Sequence, residues 1–287
     1  MQGTKILGIS LALFAMLALA ACEDDAPSVP VQAGSTSVNV GENGNTPGVD
    51  DDEDAALEFV SGKLLPIHVA ATRGDLERVK QLLKSDRSLL DAKSTYNHTP
   101  LRLAADNNRV EVVKYLISKG AKPDAKDNNG FTPLHEASKR GHIEVVKALI
   151  DGGANVNART NAQRTPLHFA AQADRPELIK MLAEHGSDVN ARDKKQDTPL
   201  HLAALAGSKD SCETLLSLGA DINARDAANA TPLHYSATKS LGVTELLVSK
   251  KAGLNARDSQ GRTPLKCAKQ SKKPGIAAFL KKQGGVE

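Results

Sequence analysis

Eight histidines, three cysteines and a recurring Arg-Asp pair are the residues of this chain whose types could do chemistry. Histidine at neutral pH binds metals or moves protons. Five of the eight, His68, His135, His168, His201 and His234, follow one another at steps of 67, 33, 33 and 33 residues. If 33 residues make one packed unit, neighbouring rings stand about 10 Å apart. A zinc ion holds its ligands at about 2 Å, so these rings cannot share an ion. His98, His142 and His185 show no metal-ligand spacing. Cys212 takes an apolar position filled elsewhere by Val146 and Ile179, which reads as a small buried thiol. Cys267 lies two units further on, about 20 Å away and beyond the ~7 Å reach of a disulfide. Both thiols are expected to stay reduced. The chain contains no G-x-x-x-x-G-K-[ST], G-x-S-x-G, H-E-x-x-H or C-x-x-C. The expectation is therefore a protein with no catalytic residues, no cofactor and no metal site. Aromatics are 3% of the chain and Trp is absent, which argues against base-stacking platforms and so against nucleic acid.

The spacing of these residues comes from an internal repeat. Thr-Pro-Leu recurs at Thr99, Thr132, Thr165, Thr198, Thr231 and Thr263, with Pro-to-Pro steps of 33, 33, 33, 33 and 32. A degenerate copy, Leu65-Pro66-Ile67-His68, precedes them by 34. Threonine caps a helix and proline fits its first position, where an N–H would go unpaired. Gly74, Asn108, Gly141, Asp174 and Gly207 follow each Pro by eight residues. These types tolerate the positive φ of a tight turn between two helices. Apolar pairs such as Val112-Val113, Val145-Val146 and Leu178-Ile179 recur with helical spacing against Leu116, Leu149 and Leu215. Gly120, Gly153, Gly186, Gly219 and Gly284 suit a left-handed helix end.

Period and signature resemble the ankyrin repeat over residues ~63–285. The resemblance implies an all-α solenoid of about seven helix-turn-helix units with projecting β-hairpin or turn loops. Units start near 64, 98, 131, 164, 197, 230 and 262. It implies that the motif histidines brace turns, and that residues 264–285 act as a C-terminal cap. The sixth unit is one residue short near Ser240-Leu241-Gly242 and has Lys251 where the helix-ending glycine belongs. It is expected to be the weakest interface in the stack.

The segment before the repeats reads differently. Lys5 and an apolar run over residues 6–18 have the layout of an export signal, too short for the ~20 residues that cross a bilayer. Leu19-Ala20-Ala21-Cys22 resembles the lipobox of bacterial lipoproteins. The resemblance implies cleavage after residue 21 and lipid attachment at Cys22. Residues 22–54 carry carboxylates and no Lys or Arg, with Pro, Gly, Ser and Asn between them. This composition suits a disordered acidic linker. The expected organisation is a leader at 1–21, a linker at 22–54 and a repeat domain at 55–287. Localisation would be a bacterial cell envelope, lipid-anchored. Glu23 after the cysteine favours the outer membrane facing the periplasm over the inner membrane or the cell surface.

Residues 63–287 hold 36 Lys and Arg against 24 Asp and Glu, a net of +12, while the whole chain is only +3. Part of the excess is one column, Lys126, Arg159, Arg192, Arg225 and Arg257. It reads either as a cationic ladder for a polyanion or as a solvated edge of alternating charge. In the ankyrin family partners meet the loop tips and the first helices. Carried onto this chain, the tip candidates are Phe131, Arg164, Lys194 and Lys195. The first-helix candidates are Glu136, Lys139, Arg140, Phe169, Gln172, Leu202, Leu205 and Tyr235. Aromatic and arginine anchors ringed by polar groups are what binding hot spots use. The expected function is protein binding as a scaffold or protector of an envelope protein. The alternatives are an immunity protein that neutralises a toxin, and an electrostatic binder of anionic envelope surfaces. The partner would be a protein, of acidic character if charge selects it, and the chain a monomer.

Overall fold

Each repeat after the first starts where a threonine and a proline force a helix to begin, and the first starts on Leu65-Pro66. The computed structural model describes residues 64–287. The expected leader, Cys22, the acidic linker and residues 55–63 lie outside the described residues. Seven helix pairs follow: α1 (Pro66–Arg73) with α2 (Leu76–Ser85), α3 (Pro100–Asp106) with α4 (Val110–Ser118), and α5 (Pro133–Arg140) with α6 (Ile143–Asp151). Then come α7 (Pro166–Gln172) with α8 (Pro176–Glu184), and α9 (Pro199–Ala206) with α10 (Lys209–Ser217). The last are α11 (Pro232–Lys239) with α12 (Leu241–Ser249), and α13 (Pro264–Gln270) with α14 (Pro274–Lys282). A single 3-10 turn, Arg87–Asp91, follows α2. No strand occurs among the described residues, so the loops between units project as turns without β-ladders.

The first helices stack on one another, and so do the second helices. Ile67, Leu101, Leu134, Leu167, Leu200 and Leu233 form a column with no solvent exposure. Burying each such side chain stabilises by roughly 1.5–3 kcal/mol. A helix of two turns cannot stand alone in water, so this column between units is what makes the helices form. The expected left-handed turns are present: Gly74, Asn108, Gly141, Asp174 and Gly207 all have positive φ. Gly120, Gly153, Gly186, Gly219 and Gly284 do too, and so does Lys251, which takes the glycine's conformation despite its Cβ.

The motif histidines do more than brace their own turn. The Thr132 N–H donates to His135 Nδ1 at 3.1 Å, and the Thr132 hydroxyl lies 2.8 Å from the same nitrogen. With Nδ1 accepting, the ring proton sits on Nε2, which donates to the Arg164 carbonyl of the next unit at 3.1 Å. His168 repeats this with Asp197, His201 with Ala230 and His234 with Arg262. His68 bonds the Leu65 N–H and the Ala92 carbonyl. These five rings are buried.

The sixth unit is built differently inside. Its shortened connection leaves Ser240 extended, at φ −135°, where other units turn left-handed. Ser236 replaces a column alanine, and Thr244 stands in the column of Val146, Ile179 and Cys212. The Thr244 hydroxyl donates at 2.7 Å to the Ser240 carbonyl and lies 3.1 Å from the Ser236 hydroxyl. The main apolar core runs from Ala70 to Ala252. A smaller cluster of Ala237, Leu265, Ala268, Ile276, Ala277 and Leu280 holds the last unit. Cys212 and Cys267 are both free and buried. Burial pushes the Cys212 thiol up to about 12.

Two measurements check this account. Hydrogen exchange should show amides of residues 236–252 opening faster than those of α6. Equal protection would remove the sixth unit as the weak point. The second is stability against pH. Burial lowers His135 and His168 to about 4, and lowers His68, His201 and His234 in the same direction. The unfolded rings take protons near 6.5. Stability is therefore full above that value and falls as pH drops from 6.5 toward 4, by up to about 1.4 kcal/mol per ring per pH unit. Asp197, raised to about 6 by burial and by Asp193, opposes this, as does Glu136, which burial also raises. Five rings outweigh two carboxyls, so the melting temperature should fall between pH 6.5 and 5. A flat profile there would contradict the neutral-ring assignment.

Candidate functional site

The loops between units carry the first half of the candidate surface. Six five-residue loops share one construction. In Asp127–Phe131 the first N–H donates to the fifth carbonyl at 3.0 Å, and the Gly130 N–H donates back to Asp127 at 3.0 Å. The fourth residue is left-handed in every loop: Asn97, Gly130, Gln163, Gln196, Asn229 and Gly261. The Asp127 side chain accepts the Asn129 and Phe131 N–H groups. Asp193, Asp226 and Asp258 brace their loops alike. Ser94 Oγ and Thr160 Oγ1 serve where Asp is missing.

Neighbouring loops are stitched through their backbones. Asn161 N–H donates to the Asn129 carbonyl at 3.0 Å, Lys194 to Ala162 at 2.9 Å, Ala227 to Lys195 at 2.9 Å and Ser259 to Ala228 at 2.8 Å. The column of basic residues adds a second seam. Arg159 Nη1 donates to the Arg192 carbonyl at 2.8 Å, Arg192 to Arg225 at 2.6 Å and Arg225 to Arg257 at 2.9 Å. Each also holds its own loop, at Gln163, Gln196 and Asn229. Lys126 Nζ donates to the Arg159 carbonyl at 2.8 Å. The column is thus a set of inter-unit ties. The ties are made at an exposed edge, where Lys126, Arg192, Arg225 and Arg257 face solvent.

On the first helices, two columns behave in opposite ways. The residues three after the Pro turn inward, Glu136, Phe169 and Tyr235 against the preceding unit. Phe169 is 7% exposed and Leu202 2%. Phe169 packs on half-buried Phe131 with centroids 5.0 Å apart, and edge-on to His135 at 5.8 Å. Glu136 is buried on Arg102, which occupies the motif-histidine position of its unit and holds Glu136 at 2.9 Å and Asp127 at 3.0 Å. Half-buried Tyr235 donates to Asp226 at 2.7 Å; burial and that bond raise its phenol. In the third, fourth and fifth units the residues six after the Pro stay open: Lys139, Gln172 and Leu205 are exposed, Leu205 at 42%. Arg140 is committed to Asp106 at 2.8 Å and Arg164 to Asp193 at 3.1 Å.

Of the twelve surface candidates, five therefore face solvent: Lys139, Gln172, Leu205 and the tip residues Lys194 and Lys195. Phe169, Leu202 and Glu136 offer little area and hold neighbouring units together instead. Leu205 borders a hollow of about 280 Å³ whose walls include Ala228, Tyr235, Arg262 and Gln270. Sequence reasoning missed the buried Asp127–Arg102–Glu136 group. The one signal available was Arg in place of His after Thr99-Pro100-Leu101. Among the described residues no cluster of His, Cys, Asp or Glu could hold a metal ion.

The comparisons with known proteins agree with this geometry. Residues 67–160 and 158–226 match the family of ankyrin repeats in three-copy form, and residues 229–259 match the single ankyrin repeat. Short stretches resemble three curated proteins. One is palmitoyltransferase AKR1 of Naumovozyma castellii, 51% identical over 53 residues, which is 18% of this chain and 7% of that protein. Another is alpha-latrocrustotoxin-Lt1a of Latrodectus tredecimguttatus, 39% identical over 56 residues, 20% of this chain and 4% of the toxin. A third is the human transient receptor potential cation channel subfamily A member 1, 36% identical over 58 residues, 20% of this chain and 5% of the channel. The chain spans less than a tenth of the length of each relative, so the likeness is one of repeats. With family matches over more than half its residues and the repeat geometry in place, the chain belongs to the ankyrin-repeat family, whose members are in general protein-binding scaffolds.

Proposed function

We propose that this chain is a lipid-anchored protein of a bacterial cell envelope whose repeats hold a protein partner, with no catalysis of its own. The observation that carries the binding part is the open strip of Lys139, Gln172 and Leu205 beside the exposed tips Lys194 and Lys195. Loops stitched backbone to backbone hold that strip in one shape, so little conformational entropy is lost when a partner docks. Leu205 and its hollow supply an apolar centre. The exposed Lys139, Lys194 and Lys195 suit a partner with carboxylates at its rim. The anchoring part rests on the lipobox resemblance at Cys22, and the outer membrane is its proposed address.

The chain as bait on envelope extract, at about 0.1 M and about 0.5 M salt, tests the surface, since screening shortens with salt. One dominant protein should survive the higher salt. Leu205→Asp with Lys194→Glu and Lys195→Glu should cut its capture at least about tenfold, the effect of losing about 1.4 kcal/mol. Recovery of only a diffuse acidic set that washes off would defeat the shaped-site reading in favour of bulk charge. Fractionation of the Cys22→Ser chain tests the anchor. The protein should leave the membrane fraction, and a processed variant that stays there would end the lipoprotein reading.

A further inference from the structure

The described residues carry a second hollow, far in type from the partner-binding strip. It measures about 390 Å³ and lies among α2, the 3-10 turn and α4. Its apolar lining is Leu83, Leu90 and Tyr115. Its polar lining is Lys80, Lys84, Arg87 and Lys119, four cations with no carboxylate among them. Lys80 and Lys119 bring their ammonium groups within 5.9 and 5.3 Å of the Tyr115 ring centre. Lys80 has Glu77 as an exposed partner at 2.6 Å. Arg87 makes one long bond, 3.5 Å, to the Lys119 carbonyl and keeps its other donors. Lys84 and Lys119 form no ion pair among the described residues.

The first unit makes this hollow by departing from the repeat. Where later second helices end on a left-handed residue such as Gly120 or Gly153, α2 ends on Asp86 in an extended conformation, φ −147°. The chain then winds into the 3-10 turn, found in no other described unit, and that turn delivers Arg87 and Leu90. Like charges gathered around one space repel each other unless an anion sits between them. An arginine fork and several lysines are the donors that phosphate oxygens take, the fork by paired bonds and the lysines as point charges. Inorganic phosphate alone would leave the leucines and the tyrosine unused.

We propose that this hollow binds the phosphate of a small amphiphile, a phosphate ester with an apolar body seated on Leu83, Leu90 and Tyr115. Its volume lies at the lower end of small-molecule sites. It takes a phosphorylated headgroup and the first carbons of a chain, not a whole lipid. The same chemistry occurs in a membrane headgroup and in a free phosphorylated compound. The site is independent of the partner-binding strip: it sits on the second-helix side and shares no residue with it.

Titration calorimetry on the Cys22→Ser full chain tests this without the anchor. The probe is dihexanoyl phosphatidic acid below its micelle concentration. A single saturable site is expected, with inorganic phosphate and dihexanoyl phosphatidylcholine each at least about tenfold weaker. Lys84→Gln combined with Arg87→Gln, both exposed, should lower the affinity at least about tenfold at an unchanged melting temperature. Lys119→Gln should weaken it as a second, separate variant. Vesicles containing phosphatidic acid separate the sources. Binding that the double variant loses places the ligand in a membrane, and binding of the soluble probe alone makes it a free phosphate ester. The proposal fails if no saturable heat appears, if the double variant binds like the parent, or if inorganic phosphate binds as tightly as the amphiphile.

Discussion

A neutral imidazole shared between two repeats is the contact on which the rest of this structure leans. Its Nδ1 accepts from the threonine that starts its own helix, and its Nε2–H donates to the loop of the next unit. One ring thus ties a helix start to the neighbour's projecting loop. The Nδ1 bond exists only while the ring is uncharged, since protonation would put a second donor against the threonine N–H. Burial keeps it so. The first helices are too short to persist alone. In five of the seven described units this bridge, with the leucine column behind it, ties the capped helix start to the chain that follows it.

The polar seams change the meaning of the net charge. A domain of +12 looks like an open cationic surface when counted as residues. Part of that column is tied down: the Nη1 groups of Arg159, Arg192 and Arg225 each donate across a unit boundary and within their own loop, which fixes the side chains and leaves their charge in place. Arg102, Arg140 and Arg164 are held by Glu136, Asp106 and Asp193. Cations with no such ties are gathered at loop tips such as Lys194, at the first unit and in the last unit, where Lys266, Lys272, Lys273, Lys281 and Lys282 are exposed.

The repeat period, the helix starts and the left-handed turns were legible from sequence, because each depends on residues a few positions apart: Thr before Pro, Gly or Asn at a fixed offset. Even the sixth unit's defect showed as one missing residue. The direction a side chain takes between units was not legible. Phe169 and Gln172 lie three residues apart on one helix, yet one is covered by the preceding unit and the other is open. Which of them is covered depends on how far one unit is offset from the next, a distance that no local spacing encodes. The arginine column was visible as a column, but its acceptors are carbonyls, which carry no letter in a sequence. Arg102 is the instructive case. A single departure from His reorganised two carboxylates, and only the packed neighbour shows where its charge went.

The projecting loops are held by backbone atoms and by their first residue. The side chains at the second and third positions add less: Asn161 donates to the Asn128 carbonyl at 2.9 Å and Asn128 accepts from Asn97, while the pairs Lys194-Lys195 and Ala227-Ala228 stand in the same geometry on backbone bonds. This chain already displays the result: Asn128-Asn129, Asn161-Ala162, Lys194-Lys195, Ala227-Ala228 and Ser259-Gln260 occupy the same geometry. What a loop presents and what keeps it standing are therefore separate inheritances. Tips such as Lys194-Lys195 and Ala227-Ala228 can be rewritten two letters at a time, and the scaffold underneath need not register the edit.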